Sequence, residues 1–251
     1  MLEFNNCPYR NAPYMGPHSQ WIVDIYQKYF GDKTDGFLVE IGVGCVLDWN
    51  LMGTPRMLDW EKDEIIRGES HTLELLENGW TGIYIESIHE IMDNEFEPLI
   101  KKILPEEQVE KIKIVKCGAS DKKRVTRIFS QESLEILPEN ETEVDTIIPY
   151  NYQGRKLLCN ATSTLLDQND CPYDIDFLLM DVEGHEISAI AGLDFTKHRP
   201  KLMLIETGIV PVQEVHKALP DDYKLIGTDS INSMFVHKYF YMRSHLYLIF
   251  T

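Results

Sequence analysis

No stretch of this chain approaches the roughly 20 consecutive apolar residues that a membrane-spanning helix needs. The opening residues, MLEFNNCPYRNAPYMGPHSQ, lack the basic segment and hydrophobic core of a secretion signal. Neither a leader nor a membrane span is expected. Runs of Lys or Arg are also missing, and 24 basic against 41 acidic residues leave a formal net charge of -17. That balance repels a phosphate backbone, which argues against nucleic acid and anionic membrane as partners. The five cysteines (Cys7, Cys45, Cys117, Cys159, Cys171) include no C-x-x-C pair, so neither a disulfide frame nor a zinc knuckle is indicated. Reduced thiols in a cytoplasmic compartment are the natural reading, and the glycosylation patterns at Asn140 and Asn160 are then chance matches in polar loops. Internal repeats and low-complexity tracts are absent as well.

What the chain does have is alternation. With 43% hydrophobic residues in 251, it can bury one substantial core, and a single α/β domain over residues 1–251 is expected. SQWIVDIYQKYFGD (Ser19 to Asp32) carries an N-cap serine, apolar residues at helical spacing and a stop at Gly31, so residues 1–35 supply a helical cap. GFLVEIGVG (Gly36 to Gly44) reads as a buried strand entering a glycine turn, HTLELLENGW as a short helix, and TGIYIES as a second strand. A polar helical region from Ser87 to Lys111, interrupted at Pro98 and Pro105, leads to KIKIVKCGASD, a third strand with its turn. FLLMD and KLMLIET are the fourth and fifth strands. VQEVHKAL then reads as a helix, and YKLIGT and HLYLIFT as two further strands, the last an antiparallel edge partner. This pattern predicts a doubly wound, mostly parallel sheet.

Two segments interrupt it. Residues 45–67 intervene between the glycine turn and its helix, and residues 121–170 form a long span with weak strand signals at RVTRIF, DTIIPY and GRKLLCN. Long connections inside a compact domain are functional loops or added substructure. The first is read as a lid, the second as a small β insertion between the third and fourth strands.

The chemistry concentrates where strands end, because ligands of such sheets sit beyond the C-terminal strand ends. FLLMDVEGHE (Phe177 to Glu186) is an apolar run stopping at Asp181 and followed at once by Glu183, His185 and Glu186, with Glu186 read as structural. Glu40, Gly42 and Gly44 follow the first strand, but the third glycine of the dinucleotide pattern is missing, Val46 standing nearby instead. Glu86 closes the second strand, where a carboxylate can accept both hydroxyl hydrogens of a ribose. From Gly44 to Glu86 is 42 residues, against roughly 20 in the dinucleotide pattern. Excising 45–67 would restore the spacing, so Gly68, Ser70, His71 and Thr72 are expected to return to the nucleoside site.

VEIGVG, NGWTGIYIES, CGASD, TSTLLD, FLLMDVEGHEISAIAG, RPKLMLIE and NSMFV together resemble the FkbM family of S-adenosylmethionine-dependent methyltransferases, from about Gly36 to near Val236. The resemblance implies the seven-stranded, Rossmann-like class I methyltransferase fold with S-adenosyl-L-methionine as cofactor. It further implies O-methylation of a hydroxyl on a sugar, glycan or small metabolite. Glu40, Gly42 and Gly44 match the motif that holds the methionine portion. Glu86, with Ser87 beside it, matches the ribose acid, Ala119, Ser120 and Asp121 match the turn beside the adenine, and Asp181 matches the acid near the amino group and reactive methyl. Ser70 and Thr72 complete the cofactor set. The insertion after Gly44 is longer than the family usually carries.

Methyl transfer needs proximity and one base. His185 is a candidate, although a helix N-terminus lowers its proton affinity, and Glu183 and Glu206 are rivals. Asp181, Glu183 and Glu206 can alternatively be oxygen ligands, but no metal is assigned. Trp49, Met52, Met57 and Trp60 of the insertion can stack on a sugar ring. Two other readings stay open. One is a nicotinamide-dependent oxidoreductase, disfavoured by the missing glycine and by the lack of a Tyr-x-x-x-Lys pair; the other is a non-catalytic nucleoside-binding module. The sequence leaves the oligomeric state open.

Overall fold

Apolar runs without alternation become strands covered on both faces, and here they assemble a parallel sheet. The structure is a computed structural model that describes residues 20–44, 72–130, 133–138, 156–229 and 231–241. In chain order the described elements begin with α1 (Gln20–Phe30), β1 (Phe37–Ile41), α2 (Leu73–Glu77), β2 (Thr81–Glu86), α3 (His89–Ile91), α4 (Glu97–Ile103), α5 (Glu106–Val109) and β3 (Lys113–Lys116). Then come β4 (Gly118–Ser120), β5 (Arg124–Ser130), β6 (Ser133–Ile136), β7 (Lys156–Ala161), α6 (Thr162–Asp167) and β8 (Asp174–Met180). The remainder are α7 (Glu186–Ala191), β9 (Arg199–Glu206), α8 (Val212–Ala218), β10 (Tyr223–Thr228) and β11 (Asn232–His237).

The larger sheet runs in the order β10-β11-β9-β8-β1-β2-β3, with β11 antiparallel to both neighbours. Chain direction across the sheet reverses between β1 and β8, the switch point where such sheets open a crevice. Side chains alternate between two cores. Leu38, Tyr84, Phe177, Leu179, Leu202 and Leu204 pack with α1, α2 and α4. Val39, Ile41, Ile83, Ile85, Leu178, Met180, Met203 and Ile205 pack with α6, α7 and α8. The α1 cap is held by Tyr26 edge-on to Phe177, with ring centroids 4.9 Å apart, and by Phe30 edge-on to Trp80 at 5.0 Å.

Three expectations need correction. Pro98 does not interrupt its helix: a π-helical turn, Met92–Phe96, joins α3 to α4 and places Pro98 in the first turn of α4, where a missing N–H is tolerated. The helix stops only at Leu104, before Pro105. CGASD is not a simple turn, since Gly118–Ser120 is a strand paired in parallel with β7 in a second sheet, order β4-β7-β5-β6. The antiparallel strand is NSMFVH and lies inside the sheet, leaving β10 at the edge. HLYLIFT and DTIIPY, like the lid segment 45–67, lie outside the described residues. The short helix expected within HTLELLENGW is α2, closed by Asn78 and by Gly79, which takes a positive φ of 91°.

Candidate active site at the C-terminal strand ends

The alternation that builds the first core continues past the last apolar residue of each strand, and there it delivers acids. Glu40 stands two residues after Leu38, Glu86 two after Tyr84, Asp181 two after Leu179, and Glu206 two after Leu204. The strands β2, β1, β8 and β9 are neighbours, so the acids follow one another across one face of the sheet in the order Glu86, Glu40, Asp181, Glu206, with Glu40, which is level with Tyr84 and Leu179, two residues deeper than the other three. At about 4.8 Å per strand the row spans roughly 14 Å. The ladder holds to its end: Asp181 N–H donates to Ile41 O at 2.9 Å and Gly42 N–H to Ile85 O at 2.8 Å.

The glycine turn closes tightly on this row. Gly42 has φ 81°, and a β-carbon there would lie 1.6 Å from the Asp181 carbonyl oxygen. Gly44, at φ 61°, faces open space and donates its N–H to Glu86 Oε2 at 3.2 Å. Glu86 Oε1 accepts the Ile88 N–H at 2.7 Å and the Ser87 hydroxyl at 3.1 Å. Two backbone amides therefore fix this carboxylate; Oε2 keeps a lone pair for a ligand, and Oε1 gains one where a ligand hydroxyl displaces that of Ser87.

Glu40 is 2% exposed. Burial first, then the charges of Asp181 and Glu86, push its carboxyl up to about 8, against the pull of a hydrogen bond from Thr72. Thr72 does return to Glu40: it is 0% exposed and its hydroxyl donates to Glu40 Oε2. Gly68, Ser70 and His71 lie outside the described residues.

After Asp181 the chain makes two left-handed residues, Glu183 at φ 53° and Gly184 at φ 85°. For a glutamate that conformation is strained, a feature concentrated at ligand-binding sites. Glu186 secures the turn through Oε1, which accepts the N–H groups of Val182 at 3.1 Å and Gly184 at 3.2 Å. The turn leaves Asp181, Glu183 and Glu206 together as one acidic group.

A sequence profile described as the methyltransferase FkbM domain matches residues 67–248. The chain belongs to the FkbM methyltransferase family. The match takes in Glu86, Asp181 and Glu206 and begins after β1, so the glycine turn lies outside it. Among solved structures, the crystal structure of methyltransferase FkbM from Methylobacillus flagellatus KT is similar over 81% of this chain, with a TM-score of 0.47 and 12% identity. The chain covers 44% of that protein, less than half its length. No curated protein matches the chain.

In this FkbM family chain the turn separates residues that the sequence places side by side. His185 does not face the acidic group. It is buried at the start of α7, its Nε2 lies 3.1 Å from Ser120 Oγ, and its charged neighbours are Arg124 and Asp121. Burial, with help from Arg124, lowers it to about 4, so the ring is neutral at pH 7. Because Ser120 donates its hydroxyl hydrogen to Asp121 Oδ1 at 3.0 Å, Nε2 carries the hydrogen of the histidine contact. Ala119 and Ser120 are buried, and Asp121 is the half-buried member of that turn. Sequence reasoning missed Tyr84 and Arg124. Tyr84 was available as a polar aromatic two residues before Glu86, on the face that ends in acids, whereas nothing in RVTRIF marks Arg124.

Among the described residues no cluster of His, Cys, Asp or Glu is arranged to hold a metal ion, and no helix is long and apolar enough to cross a membrane. Glu206 is strongly perturbed within the acidic group. Burial, then the charge and a shared hydrogen bond of Asp181, then Glu183 and Glu186, raise it from 4.5 to about 9. A carboxyl raised in the native state contributes stability that is fully present below its unfolded value and lost as pH rises through its native one. Glu206→Gln, uncharged throughout, is therefore expected to unfold at the parent's temperature near pH 4 and above it near pH 9, as read by thermal denaturation. A variant less stable than the parent at pH 9 would contradict the raised value.

Proposed function

We propose that this chain is an S-adenosylmethionine-dependent methyltransferase of the class I, Rossmann-like architecture, directed at a hydroxyl of a sugar, glycan or small metabolite. The observation that carries the reading is the row Glu86, Glu40, Asp181, Glu206 beside an open glycine turn. Burying acids side by side disfavours their charged forms, and a cationic ligand relieves that penalty. S-adenosylmethionine fits: it has a diol for Glu86 at one end of the row, and sulfonium and ammonium charges for the acids further along. A nicotinamide dinucleotide, with its anionic pyrophosphate, meets the same acids unfavourably.

In this reading Glu86 holds the ribose, Gly42 and Gly44 admit the methionine portion close to the backbone, and Glu40 and Asp181 face its positive charges. Bound S-adenosylmethionine supplies a methyl group on a positively charged sulfur, open to in-line displacement. The acceptor hydroxyl then meets Asp181, Glu183 and Glu206, and Glu206 takes its proton. Positive charge beside Glu206 favours its ionised form and moves its proton affinity down toward neutrality, where a general base works best. His185 serves the adenine side, orienting Asp121 through Ser120. A sugar or other neutral hydroxyl compound suits an acid-lined pocket better than an anionic acceptor does. Free thiols at Cys117, Cys159 and Cys171 agree with a cytoplasmic setting.

Thermal unfolding with added ligand tests the assignment. S-adenosylhomocysteine and S-adenosylmethionine are each expected to stabilise the chain by about 2.7 kcal/mol at a hundredfold excess over the dissociation constant, and NAD to leave it unmoved. Stabilisation by NAD with none by either sulfur ligand would reject the proposal.

A further inference from the structure

Thr72 lies between two polar groups of the same buried face. Its hydroxyl donates a short hydrogen bond to Glu40 Oε2, and its Oγ1 stands 3.0 Å from the Tyr84 phenol oxygen. A hydroxyl carries one hydrogen; with that hydrogen on the carboxyl oxygen, the phenol must be the donor in the second contact. The bonds therefore run one way, from Tyr84 to Thr72 to Glu40. Each member is anchored separately. Glu40 and Tyr84 are register partners on β1 and β2, the Tyr84 ring packs on Phe96 at 4.3 Å, and the Thr72 carbonyl accepts the Leu76 N–H at 3.1 Å as α2 begins. All three residues are at most 2% exposed.

The groups facing Glu40 are Thr72 ahead of α2, Tyr84 and Glu86 on β2, and Asp181 beyond β8. Among the described residues, the Thr72 hydroxyl favours the charged form of this carboxyl, whereas burial and the two neighbouring acids oppose it. Tyr84, held well above its ordinary value by burial and by Glu40, keeps its hydrogen and remains a donor.

We propose that Thr72 is a positioning residue that acts on the cofactor only through Glu40, holding that carboxyl in place and favouring its charged form by a hydrogen bond that Tyr84 orients. The inference rests on Glu40 belonging to the cofactor site.

Calorimetric titration of the full chain with S-adenosylhomocysteine tests it. At pH 7, Thr72→Val is expected to weaken binding about tenfold or more, the size of a lost hydrogen bond to a charged group. Thr72→Ser, which keeps the hydroxyl, stays within about threefold of the parent. In a Glu40→Gln background the Thr72→Val change adds less than about twofold, because its effect passes through the carboxylate. The ratio of variant to parent dissociation constants narrows as pH rises past the point where Glu40 ionises in both chains. Parental affinity in Thr72→Val, or an undiminished loss in the Glu40→Gln background, overturns the inference. Absence of binding to the parent chain overturns the cofactor assignment itself.

Discussion

Replacing Gly42 by alanine is expected to remove about 4 kcal/mol or more of stability, a large part of the roughly 5–15 kcal/mol that a domain has. Two penalties add. The left-handed φ of 81° strains any residue with a side chain, by on the order of 1–3 kcal/mol. The new β-carbon would also sit 1.6 Å from the Asp181 carbonyl oxygen, which is backbone and cannot swing aside. Relief requires β1 and the end of β8 to part where Asp181 N–H is bonded to Ile41 O. Overpacking a dense interior adds about 1–3 kcal/mol, occasionally more. Urea unfolding of the parent and variant measures the difference; a loss below about 1 kcal/mol would mean that the strand ends are looser than this contact implies.

Glu86→Ala is expected to weaken S-adenosylhomocysteine binding about a hundredfold with little change in unfolding temperature. A carboxylate that accepts two ribose hydroxyls makes charge-assisted hydrogen bonds, each worth about 1.5–3 kcal/mol, and every 1.4 kcal/mol is a factor of ten. The substitution also frees the Gly44 and Ile88 N–H groups, loosening the turn that receives the methionine portion. Glu86→Gln keeps the shape and one acceptor oxygen but turns an amide toward a backbone donor, and should fall between the two. Calorimetry reads both. A loss within threefold for Glu86→Ala would remove the ribose from this strand end.

The elements that sequence reading placed best are those whose pattern is set by local burial. FLVEI, TGIYIE and FLLM are covered on both faces, so they are apolar but for Glu40 and the end residues of TGIYIE and read as strands at once. The acids were visible for the complementary reason: a carboxylate at or near the end of an apolar strand marks where the strand meets its ligand. Pro98 was misread because a single π turn, which no residue type announces, absorbs its missing N–H. Gly118–Ser120 was misread because three residues are too few to show a period, and their pairing partner lies in β7, 41 residues away for Gly118 and Cys159.

Spacing also told that the segment after the insertion returns to the nucleoside turn, and Thr72 does return. It could not tell on which side of Glu40 the threonine would stand. A hydroxyl beneath a carboxylate and one beside it have the same distance along the chain.

His185 and Glu183 make the division plainest. Two residues apart, they read as a pair facing one acceptor, yet the left-handed backbone at Glu183 and Gly184 sends one toward Glu206 and the other toward Ser120, 65 positions away. The sequence by itself determined the strands, the acids that close them and the family, since apolar periodicity and motif spacing are properties of consecutive residues. Which acids share a proton, which hydroxyl sits under Glu40 and which way His185 turns were decided by tertiary structure alone. Those depend on backbone dihedrals at a few positions and on contacts between segments far apart in the chain.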